Sequence, residues 1–138
     1  MPAFVDTNVF VYRFDASDPA KSARSEAWLR ELWQSGEGRL SVQVLQELYV
    51  TLTRKVSQPM PAVDARLVVG ALVSWDPVVL DRSALEGAWA LEDRYSLSWR
   101  DALIVAAAQI AGCAYLLTED LGHDQVFDGV RIVDPFRL

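Results

Sequence analysis

Apolar and polar positions fall in blocks along this chain, and the period of the blocks changes from one to the next. The apolar run over residues 2–5 suits a buried strand. Thr7-Asn8 leads into Val9-Phe10-Val11-Tyr12, which predicts a short helix. Asp18-Pro19 predicts a helix start, with Asp at the N-cap and Pro at the first helical position. Ala20, Ala23, Ala27, Trp28, Leu32 and Trp33 then recur at helical spacing until Gly36. Leu40 to Val42 predicts a brief second strand. Leu45, Leu48, Tyr49, Leu52 and Val56 form a helical stripe that ends before Pro59. A helix is predicted from about Ala62 to Val73, and a third strand from Val78 to Leu80. Asp81 caps a helix carrying Leu85, Ala88, Trp89 and Leu91. Ser98 opens the next, which runs to about Ala111 and stops at Gly112. Ala114 to Leu117 is the fourth predicted strand and Arg131 to Val133 the fifth.

Short aliphatic runs alternating with helices indicate an α/β fold, with helices on both faces of a short, mostly parallel central sheet. No repeat, low-complexity tract or linker divides the sequence, so a single domain over residues 1–138 is expected. At 51% apolar and 23% charged the chain has the composition of a folded protein, not a disordered one. The lone Cys113 excludes an intramolecular disulfide and a cysteine-based zinc site, and fits a reducing compartment. The chain opens with no signal-peptide pattern, and its longest apolar stretch, Ala102 to Leu117, is 16 residues, short of a membrane span. A cytoplasmic protein with no membrane partner is expected.

Four acids stand where apolar elements begin, end or turn a face: Asp6, Glu47, Asp101 and Asp120. Asp6 and Asp120 lie just past predicted strands, at the edge where α/β sheets bind ligands. Carboxylates are rarely buried unpartnered, and no Lys lies within three residues of any of the four. If they converge, the simplest missing partner is a divalent cation. Two carboxylates about 4 Å apart repel by roughly 4 kcal/mol at an effective dielectric near 20, so a group of four either takes up protons or binds a cation. Magnesium suits such a rim, and the ion can activate water for phosphodiester hydrolysis without a His, Cys or Lys nucleophile.

Each acid also has a purely structural role open to it. Asp6 can close an Asx-turn. Glu47 can sit in solvent beside Gln43 and Arg54. Asp101 can complete a capping box with Ser98, and Asp120 can begin a turn. The net charge of −6 argues against broad capture of nucleic acid, although setting the four acids aside leaves −2. Eleven of the thirteen basic residues are Arg, the side chain suited to phosphate, which a coding bias would also produce. The sole His123 reads as a surface loop residue, since no nucleophile elbow accompanies it. Gly36-Glu37-Gly38 reads as a turn, not a dinucleotide fingerprint. Trp28, Trp33, Trp75 and Trp89 read as packing residues more readily than as base-stacking platforms.

Phe4-Val5-Asp6-Thr7-Asn8, Gln46-Glu47-Leu48, Trp99-Arg100-Asp101-Ala102-Leu103-Ile104 and Leu117-Thr118-Glu119-Asp120-Leu121, in that order, resemble a PIN domain. The similarity is greatest to the VapC toxins of bacterial toxin–antitoxin pairs, and it runs through the closing Val130 to Phe136. The resemblance implies a three-layer α/β/α sandwich and an endoribonuclease dependent on Mg²⁺ or Mn²⁺. Asp6, Glu47, Asp101 and Asp120 would be its metal-binding acids. Thr7 and Asn8 would brace the first carboxylate, Thr118 takes the hydroxyl position before the last acid, and Asp124 lies where a further acid sometimes contributes. Arg100 could touch substrate phosphate. The implied partners are an RNA substrate, a cognate antitoxin and a second copy of the chain in a homodimer. An antitoxin could lay an apolar helix between the helices at 18–35 and 42–57 and place an Arg among the acids. Two other readings stay open, a different Mg²⁺-dependent phosphohydrolase (a DNase or phosphatase) and a non-catalytic module whose acids accept a partner's Arg.

Overall fold

In a computed structural model that describes residues 1–137, the apolar run at the start of the chain is strand β1 (Ala3–Val5), all three residues buried. The helices α1 (Thr7–Phe14) and α2 (Pro19–Ser35) follow, then β2 (Gly38–Arg39), α3 (Val42–Arg54) and α4 (Ala62–Leu72). A 3-10 turn extends α4 over Val73–Trp75. After it come α5 (Arg82–Tyr95), α6 (Trp99–Ile110), β3 (Tyr115–Leu117), β4 (Val126–Phe127) and β5 (Val130–Val133). The sheet order is β2-β1-β3-β5-β4, parallel except for the β4–β5 hairpin. The helices pack as two groups, α1 to α4 in one and the α5–α6 pair in the other, and form the outer layers of an α/β/α sandwich.

Caps fix the helix starts as the residue types demand. Asp18 accepts a hydrogen bond from the Lys21 amide at 3.1 Å, and α2 ends at Gly36 in the left-handed region (φ 71°), which glycine enters without a Cβ penalty. Asp81 and Ser98 cap α5 and α6 through their side-chain oxygens. Burial then does most of the stabilising. Phe4, Val5, Leu116, Leu117 and Ile132 from the strands meet Val9, Phe10, Leu48, Leu52, Ile104 and Val105 from the helices, all essentially inaccessible to solvent. The Ala-rich face of α6 lets α5 approach closely; even a Cβ placed on Gly87 would meet the Ala106 methyl only at 3.9 Å.

Three expectations about strands shift. The second strand lies at Gly38–Arg39, not at 40–42, because the Ser41 hydroxyl caps α3 by accepting from the Val44 amide at 3.3 Å. Val42 and Val44 are thereby drawn into the helix despite their β-branching. Residues 78–80 form no strand: a single parallel bridge joins Val78 to Ser41, between Pro77 and the Asp81 cap. Last, β4 was not anticipated. Asp128 and Gly129 both have positive φ (46° and 91°), the geometry of a tight hairpin turn, and Arg94 and Tyr95 bind the Asp128 carboxylate at 2.7 Å each.

Candidate active site

Strands β1 and β3 are neighbours, with Val5 opposite Leu117, so the residues just past them, Asp6 and Thr118, emerge side by side at the C-terminal edge of the sheet. Asp6 is buried (1% exposed), and its carboxylate caps α1 by accepting from the Thr7 amide at 2.7 Å. The Thr118 hydroxyl donates to Asp6 Oδ2 at 2.8 Å. That same hydroxyl oxygen accepts from the Asn8 side-chain amide and from the Asp120 backbone amide, both at 3.1 Å. Asn8 also donates to Asp120 Oδ2 at 3.0 Å. Thr7, Asn8 and Thr118 therefore brace the carboxylates of the two strand ends.

The other two acids arrive on helices. Glu47 lies along α3 and Asp101 in the first turn of α6, and what joins them to Asp6 is the Arg100 guanidinium. Its Nη1 and Nη2 donate to the two oxygens of Asp6 at 3.0 and 2.7 Å. Its Nε and Nη2 donate to Glu47 Oε2, both at 3.1 Å, and Nη2 also reaches Oε1 at 3.2 Å. Asp101 and Asp120 each stand 3.9 Å from Nη1. All four acids thus face one cation, and that cation belongs to the chain itself. The expectation of a missing partner is corrected here, since a search for nearby Lys passes over the Arg adjacent to Asp101. Arg100 points inward to the carboxylates, not outward toward a phosphate.

Asp124 is not brought into the group. Its side chain is 66% exposed, in a left-handed turn, and its carboxylate lies 3.8 Å from Arg131 and 3.5 Å from His123. His123 is also more structural than a free surface histidine: its Nδ1 accepts from the Asp134 amide at 3.1 Å. The purely structural readings of the acids hold in part. Asp6 is a cap as well as one of the converging acids. Ser98 caps α6 through the Asp101 amide at 3.2 Å, which leaves the Asp101 carboxylate facing Arg100. Glu47 pairs with Arg100, not Arg54.

The electrostatics are those of crowded acids at a protein rim. Burial raises the Glu47 pKa from its ordinary value, against the opposing pull of Arg100. Burial also raises that of Asp120, and the nearby Asp6 charge adds to it. For Arg100, burial works against the charged form, yet hydrogen bonds and attraction to Asp6 and Glu47 outweigh it and its pKa rises. One guanidinium cannot neutralise four carboxylates, so the group stays net negative. Among the described residues no three carboxylate, imidazole or thiol groups already stand in a metal-holding arrangement. The donor set is nonetheless one that suits a hard divalent ion: four carboxylates with the Thr7 and Thr118 hydroxyl oxygens beside them, and a stand-in cation at their common focus.

Glu47, Asp120 and Arg100 open onto a cleft of about 360 Å³, lined also by Val11, Tyr12, Thr51 and Glu119. Its rim carries a cluster that the sequence did not suggest. Lys21 Nζ donates to Glu119 at 2.8 Å, the Tyr12 hydroxyl donates to the other Glu119 oxygen at 2.7 Å, and Lys21 lies over the Tyr12 ring. A separate apolar groove runs between α1, α2 and α4, bounded by Phe10, Phe14, Leu29, Trp33, Val68 and Leu72. It differs from the expected groove between the helices at 18–35 and 42–57, because α1 packs between those two. Of the tryptophans, Trp28 and Trp75 pack against the core, whereas Trp33 and Trp89 are each 50% exposed. Among the described residues no helix is long and apolar enough to cross a membrane.

Comparison with solved structures finds the same architecture in proteins of low identity. A toxin–antitoxin complex from Klebsiella pneumoniae matches with a TM-score of 0.67 at 22% identity, covering 96% of this chain and 97% of that one. VapC20 of Mycobacterium tuberculosis, a toxin that cleaves the sarcin–ricin loop, matches with a TM-score of 0.57 at 24% identity, covering 83% of this chain and 86% of the other. No curated protein matches. The PIN domain profile matches residues 3–127, a span that contains every strand of the sheet except β5 and all four acids. The chain belongs to the PIN domain family.

Proposed function

We propose that this protein is a metal-dependent endoribonuclease and the toxin of a toxin–antitoxin pair. The observation that carries the reading is the convergence of Asp6, Glu47, Asp101 and Asp120, from four separate elements, on one cation position at the C-terminal edge of the sheet. Family membership and the two structural neighbours, one from a toxin–antitoxin complex and one a toxin, support it. These four acids would hold Mg²⁺ or Mn²⁺. When bound, the ion supplies an acidified water and stabilises charge on the phosphoryl group.

The chain's own residues have the remaining work. Thr118 and Asn8 hold the Asp6 and Asp120 carboxylates at fixed separation, so the site is organised before substrate arrives. Thr7 fixes Asp6 through its amide. The open cleft admits a strand or loop of RNA, whose unstacked bases and shape are the usual means of recognition. For the partner, the apolar groove between α1, α2 and α4 suits an amphipathic antitoxin helix, and a homodimer belongs to the same reading.

The test is cleavage of labelled RNA by the purified chain with Mg²⁺ or Mn²⁺, with DNA and a phosphomonoester assayed alongside. RNA alone is expected to be cut, with loss of cleavage on chelation and in Asp101→Asn and Asp120→Asn. Cleavage of DNA or the monoester in its place would favour the other phosphohydrolase readings. Full activity in chelator, or in both variants, would remove the mechanism. A folded chain that captures its partner but takes up no Mn²⁺ would instead be the binding module.

A further inference from the structure

The Arg100 guanidinium stands where the proposed function puts a divalent ion. Both Asp6 oxygens and both Glu47 oxygens accept from it, and the Thr7 hydroxyl oxygen lies 3.4 Å from Nη2. Those are the lone pairs a metal would need. A cation–oxygen bond of about 2 Å cannot share a carboxylate edge with two N–H donors directed at it. Charge is a second objection, because a guanidinium and a divalent ion within a few ångströms of each other repel strongly at any dielectric a protein provides.

The position of Arg100 on its helix points the same way. It is the second residue of α6, where the partial positive charge of the helix N-terminus disfavours a cation. Its bonds to the acids, Asp6 and Glu47 above all, hold it there. Its side chain is 33% exposed and borders the open cleft, so it can leave by rotating about its own bonds, with no change in the backbone.

We propose that Arg100 is a displaceable counter-cation: it neutralises the Asp6 and Glu47 carboxylates in the metal-free protein, and metal binding expels it. The proposal rests on the reading of the four acids as a metal site. Two consequences follow. The apo protein is relieved of part of its carboxylate repulsion without taking up protons, and metal affinity is set below what four free carboxylates would give.

The experiment uses the full chain stripped of metal. Mn²⁺ binding is measured by electron paramagnetic resonance and calorimetry for the native chain, Arg100→Gln and Arg100→Lys. Arg100→Gln is expected to bind Mn²⁺ at least about tenfold more tightly, with the charge-retaining Arg100→Lys in between. In the native chain, the ¹⁵N-detected Arg100 Nε–H signal is followed as Mg²⁺ is added. It is expected to be protected at first by Glu47 and to shift and exchange faster with water at saturation. That signal separates displacement from a mere long-range effect of charge, and it does not depend on a variant folding. Equal or weaker Mn²⁺ binding by Arg100→Gln overturns the proposal, as does an unchanged Nε–H signal in the Mg²⁺-saturated protein. In both cases the metal-site reading survives. Absence of Mn²⁺ binding by all three chains removes both together.

Discussion

Replacing Thr118 by Val removes one hydroxyl and keeps the shape, and the structure says what that hydroxyl holds. It is fully buried, donates to Asp6 Oδ2 at 2.8 Å, and accepts from Asn8 and from the Asp120 amide at 3.1 Å each. A hydrogen bond to a charged group contributes roughly 1.5–3 kcal/mol and a neutral one about 1 kcal/mol. Two circumstances soften the loss. Asp6 Oδ2 keeps the Arg100 donor at 3.0 Å, and the Asp120 amide is near enough to solvent to take water. Net destabilisation of about 2 kcal/mol is therefore expected. With an unfolding entropy near 2 cal/mol/K per residue, that lowers the midpoint of this 138-residue chain by about 7 °C. Urea and thermal unfolding of metal-free protein measure it. Thr118→Ser keeps the hydroxyl and is expected to lose less than half as much. A Thr118→Val protein as stable as the native one, or a Ser variant as damaged as the Val, would refute the claim that this hydroxyl ties the ends of β1 and β3 together. A double-mutant cycle with Asp6→Asn is expected to show coupling, because the two groups share one bond.

Three further outcomes are expected. Leu116→Ala in β3, whose side chain is wholly buried, costs about 2–5 kcal/mol in urea unfolding, far more than Leu67→Ala at a site 71% exposed. The Ser83 hydroxyl and the Ala84 amide hold the Asp81 carboxyl below its ordinary value of 3.8, so its contribution is full above that pH and fades as pH falls through the folded value. The gap in urea midpoint between the native chain and Asp81→Ala is accordingly expected to narrow on acidification, and a gap that widens would contradict this. Burial pushes the Cys113 thiol up to about 11, so a thiol reagent at neutral pH should label it slowly in the native chain and at once in denaturant.

Much of the architecture was legible because it is local. Strands β1 and β3 announce themselves as short aliphatic runs, and Asp18-Pro19, Asp81 and Ser98 cap helices for reasons visible within four residues. The errors occurred where local signals compete. Leu40-Ser41-Val42 has the composition of a strand, yet Ser41 is a better helix cap than strand residue, and the cap prevailed. The β4–β5 hairpin had its signal in Asp128-Gly129, but Val126-Phe127 is too short a run to register as a strand. The acids could be named from their context, whereas their mutual arrangement could not. Arg100 meets Asp6 across 94 positions and Glu47 across 53, distances in sequence over which no periodicity reports. The Lys21–Glu119–Tyr12 cluster at the rim was hidden for the same reason.

That arrangement decides which substitutions can speak about chemistry. Asp6 is at once a helix cap, the acceptor for Thr118 and the main anchor of Arg100, and it is buried. Its removal would leave a half-buried guanidinium half-paired and the first turn of α1 uncapped, and both losses fall on the fold. An inactive Asp6→Ala protein would therefore be explained as well by a loosened fold as by a missing metal ligand. Asp120 is different. Its side chain is 49% exposed, its ion pair with Arg100 is long at 3.9 Å, and its one short side-chain contact is to Asn8. Exposed pairs of that kind contribute little to stability, so Asp120→Asn removes a charge from the cleft while leaving the scaffold nearly intact. An acid tied this loosely into the fold is one whose loss reports on the proposed reaction and not on the scaffold.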